Sequence, residues 1–339
     1  MTELVWHDTA TWGLEGKGWE DTARHFERLP ARARESVREP VWNLSRFSAG
    51  LNLRFVTDSP QIHARYDLLN PTICMPHMPA TSHSGLDLYG EDGSGFLRWV
   101  GITRPEGQHV EGALAEGLAP GRRPYCLYLP LYNSPETLEI GIEAGAHLEP
   151  LPPRDEKPIL FYGTSILHGA SAARAGMGIP AIVGRRLRRS VINLAFSGNG
   201  KMEPEIADLL AELDPCLFVV DCLPNMVATE ITERAAPLVR RIRESRPDTS
   251  ILLVEDRTYA NTRFFPAKGE RHRTSRAALR TAWHELTEQG VDHIHYLDGD
   301  GLLPHDGEAT VDSSHPTDLG MVAYADAYEA AIRPILRQA

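Results

Sequence analysis

Short stretches of alternating apolar and polar residues, separated by turn residues, fill the first 150 positions of the chain. Alternation with a period of two is typical of a half-buried antiparallel strand. A series of short strands of this kind predicts a β-sandwich or jelly-roll module. The stretches lie at residues 51–55, 62–66, 85–89, 96–99, 125–129 and 138–142.

The pattern changes after segment 149–158, whose four prolines cannot join the interior of a sheet. From there, short apolar runs alternate with amphipathic helical stretches, which indicates a flavodoxin-like parallel sheet covered by helices on both faces. We therefore expect a β-sandwich domain at residues 1–152 and an α/β domain at residues 153–339. The predicted strands are 159–162, 191–194, 217–220, 251–254 and 293–297, and the predicted helices are 179–189, 203–213, 229–244, 274–288 and one from residue 317.

Charge narrows the range of partners. The net charge is −11, and lysine and arginine are scattered among acidic residues. Such a surface disfavours nucleic acid, whose binding depends on neutralised phosphates, and it equally disfavours an anionic membrane. We expect a neutral or weakly charged small molecule or sugar as the ligand, and the sequence leaves self-association into a homo-oligomer open.

The sequence also predicts a cytoplasmic location. The N-terminal residues have neither a basic start nor an apolar run long enough for secretion. No segment approaches the roughly 20 apolar residues that span a bilayer. The four cysteines lack the paired spacing of a zinc or redox motif, so we expect free, part-buried thiols in a reducing compartment. They are Cys74, Cys126, Cys216 and Cys222.

Loops at the carboxyl ends of parallel strands are where such sheets bind ligands. The first is Gly163-Thr-Ser-Ile-Leu-His-Gly169, directly after a predicted strand. A serine at this turn presents its hydroxyl at the sheet edge, and its own N–H lies at a helix N-terminus, where negative charge is stabilised. Ser165 is therefore a candidate nucleophile. The alternative is that Ser165 only caps the helix.

Two further loops offer hydrogen-bond donors for an oxyanion. Ala195-Phe-Ser-Gly-Asn-Gly200 follows the second strand, and the Gly198 N–H can point at a developing negative charge. Asp221-Cys-Leu-Pro-Asn225 follows the third strand, and Asn225 offers a side-chain amide. An ordinary glycine turn and an Asx turn remain the respective alternatives.

The fourth loop is Asp312-Ser-Ser-His-Pro316, just before the last helix. A carboxylate three residues before a histidine can accept the Nδ1–H, which leaves Nε2 to take a proton from a serine. Asp312 and His315 could instead be unrelated surface residues. All four loops fall on the same edge of the predicted sheet, and this coincidence favours catalysis.

Taken together, these loops resemble the SGNH (GDSL-like) hydrolase superfamily, which is named after a serine, a glycine, an asparagine and a histidine. The resemblance implies an ester hydrolase in which Ser165 is the nucleophile, His315 its base and Asp312 the acid that orients the base. Gly198 and Asn225 then form the oxyanion hole with the Ser165 N–H. We expect no cofactor, and no metal, because no His-Glu-x-x-His or comparable ligand set is present.

Gly85-Leu-Asp-Leu-Tyr89 is similar to the Gly-x-Asp-Leu-Tyr motif of the β-rich domain that precedes the hydrolase domain in one branch of this superfamily. Both resemblances together cover nearly the whole chain. Two departures are Gly163-Thr-Ser165 in place of Gly-Asp-Ser and Leu223-Pro-Asn-Met226 in place of Gly-x-Asn-Asp. The branch implies a small acyl ester, an acetyl group on a sugar, as the substrate. An acyltransferase and a non-catalytic carbohydrate-binding protein remain alternatives.

Several residues are candidates for contacting the substrate. Segment 256–273, which carries Tyr259 and two phenylalanines, is long enough for an active-site flap. His77, within Met75-Pro-His-Met78, could reach the cleft from the first domain, and an ordinary surface loop is the alternative in both cases. The other candidates are His168, which could instead be a solvated helix residue, Asn199 and Met226. Trp6, Trp12, Trp19 and Trp42 could stack on a sugar ring or belong to the core.

Overall fold

Two antiparallel sheets make up the first part of the chain. In the computed structural model, which describes residues 3–338, their strands are β1 (Leu4–Asp8), β2 (Leu14–Glu15), β3 (Asn52–Thr57), β4 (Gln61–Leu68), β5 (Asp87–Glu91), β6 (Leu97–Ile102), β7 (His109–Glu116), β8 (Arg123–Tyr128), β9 (Pro135–Glu143) and β10 (Leu148–Pro150). One sheet has the order β1-β9-β4-β7. The other has the order β10-β3-β8-β5-β6, with β2 paired to β3.

An apolar core is shared by these two sheets. Every second residue of β4 is buried, as the alternation of side chains along a strand dictates. Tyr66 and Ile140 of the first sheet belong to the same buried cluster as Phe55 and Leu127 of the second. The expected antiparallel β-rich architecture is therefore confirmed. The sequence pattern misses β7 because its glycine, alanines and glutamates have little strand preference.

A parallel sheet forms the second part of the chain. Its strands are β11 (Ile159–Gly163), β12 (Val191–Ala195), β13 (Leu217–Asp221), β14 (Ser250–Val254) and β15 (Ile294–Leu297), in the order β12-β11-β13-β14-β15. This is the flavodoxin-like order. Every residue of β11 to β14 is buried, which explains why the sequence shows short, predominantly apolar runs. The predicted α/β fold is confirmed.

Helices cover both faces of the parallel sheet. In the described part of the chain they are α1 (Glu39–Ser45), α2 (Ala80–His83), α3 (Ser165–His168), α4 (Ile179–Leu187), α5 (Pro204–Glu212), α6 (Ala228–Ser245), α7 (Pro266–Glu288) and α8 (Asp318–Gln338). Buried residues of α5, α6 and α7 form one cluster with the sheet, and those of α3, α4 and α8 form the other. Each amphipathic helix thus buries one face on the sheet.

Helix α7 is longer than the sequence predicts, because it begins at Pro266 instead of residue 274. A proline suits the first turn of a helix, where its missing N–H costs no hydrogen bond. The added turns are strongly polar and carry no apolar periodicity, so the pattern did not reveal them. Polar contacts of Arg271 and His272 with Asp256 hold them in place. The predicted flap 256–273 is correspondingly shorter, since the segment between β14 and α7 comprises residues 255–265.

Asp87 of the Gly-x-Asp-Leu-Tyr segment connects the two parts of the molecule. Its carboxylate is fully buried, and Oδ2 accepts hydrogen bonds from Arg174 Nη1 at 2.9 Å and from the Gly176 N–H at 2.8 Å. Oδ1 accepts from the indole N–H of Trp99 at 3.1 Å. Arg174 and Gly176 follow helix α3, so the motif fastens the antiparallel part to the loop beyond that helix.

The cysteines are free thiols. Cys126 and Cys222 are buried and Cys216 is half-buried, but Cys74 is exposed, so the expectation of part-buried thiols is wrong for Cys74. It immediately precedes the tight turn that Met75 and Met78 close before α2. Among the helices of residues 3–338, none combines the length and apolar character needed to cross a bilayer.

Candidate active site

Ser165 is the first residue of helix α3 and is separated from the end of strand β11 by one residue, Thr164. Thr164 occupies the N-cap position, and its side chain accepts a hydrogen bond from the Ile166 N–H. The alternative that Ser165 caps the helix is therefore wrong. The helix ends after one turn at Gly169, whose φ of 107° lies in the left-handed region that glycine tolerates.

The Ser165 hydroxyl faces an imidazole held by a carboxylate. Ser165 Oγ lies 2.9 Å from His315 Nε2, and His315 Nδ1 lies 2.6 Å from Asp312 Oδ2. The carboxylate accepts the Nδ1–H, so Nε2 is left to accept the serine proton, an assignment that follows from the hydrogen-bond pattern. The structure thus brings together all three residues of the predicted triad.

A tight turn folds Asp312 back onto His315. Asp312 Oδ1 accepts the backbone N–H groups of Ser314 at 2.9 Å and His315 at 2.8 Å. Ser313 between them has a φ of 75°, in the left-handed region. Partial burial acts to raise the pKa of Asp312, but the hydrogen bonds from His315 and Ser314 outweigh it and lower the pKa. The carboxylate is therefore charged and able to orient the imidazole.

Three hydrogen-bond donors belong to the loops around Ser165. The Ser165 N–H begins a helix, and neither it nor the Gly198 N–H donates to another backbone group of residues 3–338. The Asn225 side-chain oxygen accepts from the N–H groups of Asn199 at 3.0 Å and Gly200 at 3.2 Å, which assigns the orientation of this amide. The NH2 group consequently points away from that loop. The Asx-turn alternative for Asn225 is wrong, because its side chain binds a different loop.

Backbone contact holds the Ser165 and Gly198 loops together. The Phe196 N–H donates to the Gly163 carbonyl at 2.9 Å. A Cβ on Gly200 would lie 2.0 Å from that same oxygen, so only glycine permits this approach. Gly198 itself has a φ of 69°, and no heavy atom beyond Gly198 and its two chain neighbours lies within 4 Å of the position that a Cβ would take. The glycines are thus required by packing and by turn geometry.

Two of the predicted substrate contacts are wrong because their side chains are completely buried. Met226 is in the core beneath α5 and α6. His168 is also fully buried, and its Nε2–H donates to the Leu131 carbonyl at 2.8 Å. Burial lowers the pKa of His168 well below its ordinary value, so the ring is neutral. The alternative of a solvated His168 is equally wrong, since helix α3 is buried along its whole length.

Asn199 and Tyr259 lie beside the catalytic loops. The Asn199 side-chain oxygen accepts from Arg38 Nη1 at 2.8 Å, so this amide is occupied by a structural contact instead of being free for a ligand. Tyr259 is half-buried next to the His315 loop, since the adjacent Ala260 N–H donates to the Ser313 carbonyl at 3.2 Å. Tyr259 remains a candidate for substrate contact.

His77 reaches the site from the antiparallel part of the molecule. Reciprocal backbone hydrogen bonds between Met75 and Met78, both of 3.0 Å, close a turn with His77 near its tip. The centre of the His77 ring lies 5.6 Å from that of His315. Both parts of the chain therefore contribute side chains to the site.

The four tryptophans proposed as stacking surfaces pack mainly into the protein. Trp12 and Trp19 are buried, and Trp42 is packed against the core. The Arg65 guanidinium covers the Trp6 ring at 4.4 Å. The core alternative applies to Trp12, Trp19 and Trp42, whereas Trp6 is half-buried beneath Arg65.

Sequence reasoning missed a charged cluster at the same sheet edge, comprising Asp256, Arg257 and Arg271. Asp256 and Arg257 are fully buried. The available signal was an adjacent acid and base two residues beyond the end of the apolar strand β14, because charges at such a place are rarely buried unless paired.

Comparisons with known proteins identify the family of both parts of the chain. Residues 156–333 match the GDSL-like lipase/acylhydrolase family, and residues 4–148 match the N-terminus of SGNH-hydrolase-type esterases. A protein from Bacteroides ovatus assigned as a GDSL-like lipase is 32% identical, with a TM-score of 0.94 over 99% of this chain and 98% of that one. No protein with curated annotation matches the sequence.

Two more distant structures share the fold. The salicylyl-acyltransferase SsfX3 of a tetracycline biosynthetic pathway is 20% identical, with a TM-score of 0.77 over 98% of this chain and 97% of that one. A family two carbohydrate esterase from Clostridium thermocellum, solved with cellohexaose, is 14% identical, with a TM-score of 0.60 over 86% of this chain and 94% of that one. At these identities, the likeness concerns the fold.

Proposed function

Because the chain belongs to the GDSL-like lipase/acylhydrolase family, we propose that it hydrolyses small acyl esters of carbohydrates, acetyl esters above all, through an acyl-enzyme on Ser165. The observation that carries the proposal is the line of contacts from Ser165 Oγ to His315 Nε2 at 2.9 Å and from His315 Nδ1 to Asp312 at 2.6 Å. This is the arrangement that turns a serine hydroxyl into a nucleophile.

Acylation begins when Ser165 Oγ attacks the ester carbonyl carbon and its proton passes to His315 Nε2. The tetrahedral intermediate then loses the alcohol, which takes the proton from His315 as its C–O bond breaks. Asp312 stabilises the imidazolium that exists between these transfers. Water attacks the acyl-enzyme with the same base, releases the carboxylic acid and returns the proton to Ser165.

The oxyanion of each tetrahedral intermediate is stabilised by fixed donors. We assign the Ser165 N–H, the Gly198 N–H and the Asn225 amide to this role. Asn225 is held through its oxygen by the neighbouring loop, so its NH2 group is oriented before substrate arrives. Donors that need no reorganisation stabilise developing charge most effectively.

Side chains near the triad support a carbohydrate ester as substrate. Phe264 and Phe265, 76% and 50% exposed, lie on segment 255–265 and present apolar surface on which a sugar ring can stack. Lys268 connects this segment to the triad loop, since its Nζ lies 4.8 Å from the Phe265 ring centre and 3.5 Å from Ser313 Oγ. His77 adds a polar contact on another side. We assign His77 and Tyr259 to binding the alcohol part of the ester.

Hydrolysis of p-nitrophenyl acetate and of a panel of acetylated sugars tests the proposal. Ser165→Ala should lower kcat at least about 1,000-fold, while Ser94→Ala, in an exposed turn of the antiparallel part, should retain activity. A fluorophosphonate probe should label the wild type and Ser94→Ala but not Ser165→Ala. Wild-type activity in Ser165→Ala would show that the nucleophile is wrongly assigned.

Capture of the acyl group by an alcohol is the rival outcome. An acyl-enzyme reacts with whichever nucleophile reaches it, so product analysis with a free sugar present distinguishes hydrolysis from transfer. Release of acetate without acetylated sugar supports hydrolysis. Acetylated sugar as the main product identifies an acyltransferase with the same triad.

A further inference from the structure

Asp256 is a fully buried carboxylate that the proposed reaction does not use. It follows strand β14 at the edge where the catalytic loops meet. Its Oδ1 accepts from Arg257 Nη1, and its Oδ2 lies 3.3 Å from Arg271 Nη1 and 2.9 Å from His272 Nδ1. Burial acts to raise the pKa of Asp256, but the Arg257 charge and the His272 contact outweigh it and lower the pKa. The carboxylate is therefore a permanent anion.

Arg257 connects this anion to the triad loop. Its side chain is fully buried, and its Nε and Nη2 donate to the Ser314 carbonyl at 3.2 Å and 3.1 Å. Nη2 also donates to Ser314 Oγ. Because Ser314 immediately precedes His315, these bonds hold the backbone next to the catalytic base in place.

Arg271 connects the same anion to the Asn225 loop. Its Nη2 donates to the carbonyl oxygens of Pro224 at 2.8 Å and Met226 at 3.0 Å, and Leu223 O lies 3.5 Å away. These carbonyls belong to Asn225's neighbours on both sides. A guanidinium is suited to this task, because its planar fork donates in several fixed directions.

We propose that Arg271 is a positioning residue that acts through Asn225. Arg257 acts in the same way through the His315 loop. Asp256 is the shared anion that aligns the two loops. The inference rests on the proposed function. Catalytic groups must stand in their productive geometry, and a displacement of ~1 Å costs on the order of 100-fold in rate. The network provides that alignment without touching the substrate.

A double-mutant cycle tests the link between Arg271 and Asn225. Arg271→Ala should lower kcat for p-nitrophenyl acetate about 10- to 100-fold with KM nearly unchanged, because a loop displacement affects the transition state. In an Asn225→Ala background, the same substitution should cost less than about threefold, since the group it positions is gone. Arg273→Ala is the matched control, as that side chain is 70% exposed on the same helix and pairs with Glu270.

A second variant covers the case in which Arg271→Ala does not fold. Arg271→Lys keeps the positive charge beside Asp256 but cannot reach several carbonyls at once, so it should show the same loss of kcat in a protein that unfolds near the wild-type temperature. An equal loss in both backgrounds overturns the proposal, because the arginine then acts independently of Asn225. Wild-type kcat in both variants overturns it as well.

Amide hydrogen exchange separates this inference from the proposed activity. Residues 223–227 should exchange faster in Arg271→Ala and Arg271→Lys than in wild type or Arg273→Ala, whether or not the protein turns over esters. Unchanged exchange there contradicts the network. If exchange increases in the variants as expected but the wild type hydrolyses no ester, the proposed function is wrong and the network is supported.

Discussion

His77 and His315 lie with their ring centres 5.6 Å apart and their planes tilted by 31°, although they come from different parts of the chain. His77 belongs to the turn before α2 in the antiparallel part, whereas His315 follows the parallel sheet. The imidazole assigned as base therefore has a polar neighbour that the α/β part alone does not supply. This relationship is the reason for proposing that the antiparallel part contributes to substrate binding.

His77→Ala should weaken the binding of an acetylated sugar while leaving the chemistry intact. Loss of one hydrogen bond of about 1 kcal/mol corresponds to a roughly fivefold rise in KM. Turnover of p-nitrophenyl acetate, which has no sugar for His77 to contact, should stay near wild type. Steady-state kinetics on both substrates measures the difference, with His305→Ala on an exposed loop as the control. Unchanged KM for every sugar ester would remove His77 from the site.

Asn225→Ala should lower kcat by about 100- to 1,000-fold with little change in KM, because an oxyanion donor acts mainly in the transition state. The labelling rate with a fluorophosphonate probe should fall in parallel. Asn43→Ala, on an exposed turn of α1, serves as the control. A loss confined to KM would instead place the Asn225 amide on the bound substrate.

Asp87→Ala should destabilise the whole protein, because it removes the acceptor of the two hydrogen bonds, from Arg174 and Gly176, that join its two parts. Arg174 then keeps a charge without its partner in a partly buried position, and breaking such a pair costs ~3–5 kcal/mol. Urea unfolding followed by tryptophan fluorescence measures the change in the free energy of unfolding. Asp92→Ala, at the exposed β5–β6 turn, should have a much smaller effect. Equal effects of the two substitutions would argue against Asp87 as the link.

Asp221 should make stability depend on pH. Burial, with the nearby Asp256 charge, raises the pKa of Asp221 to about 7 from its ordinary value of 3.8, even though the Tyr328 hydroxyl donates to it at 2.6 Å. The folded state thus holds this proton more tightly than the unfolded state. The stabilisation is complete below about pH 4 and is lost as the pH rises through 7, by about 1.4 kcal/mol per pH unit.

Asp221→Asn should remove this dependence. The difference in the free energy of unfolding between wild type and variant should therefore change steadily from pH 4 to pH 7, in favour of the variant as the pH rises. Urea unfolding at several pH values measures it. Asp326→Asn, on the exposed side of the same helix as Tyr328, is the control. A difference that stays constant with pH would mean that Asp221 does not titrate in this range.

The parallel strands and the four site loops were predictable for a specific reason. Strands buried on both faces are continuous apolar runs, and all of them end at one edge of the sheet. Each site loop follows such a run or precedes the final helix. Chain order alone therefore indicated that four residues converge at this edge: Ser165, Gly198, Asn225 and His315. Distances of 2.9 Å and 2.6 Å within the triad agree with that expectation.

Burial of individual side chains was not predictable in the same way. His168 and Met226 each lie within three residues of an assigned catalytic group, and closeness in sequence suggested closeness to the ligand. Side chains of neighbouring residues point in different directions, however, and these two point into the core. Asn199 is likewise occupied by Arg38, whose position 161 residues earlier in the chain gives no local signal.

Local pattern along the chain determined the two kinds of sheet and the residues able to form a Ser-His-Asp triad, because periodicity and strand-end chemistry are properties of neighbouring residues. Only the tertiary structure decided that His77 stands beside His315, that Asp87 fastens the antiparallel part behind α3, and that Asp256 lies between Arg257 and Arg271. Each of these contacts joins segments distant in sequence, and their partners are chosen by how the sheets and helices pack.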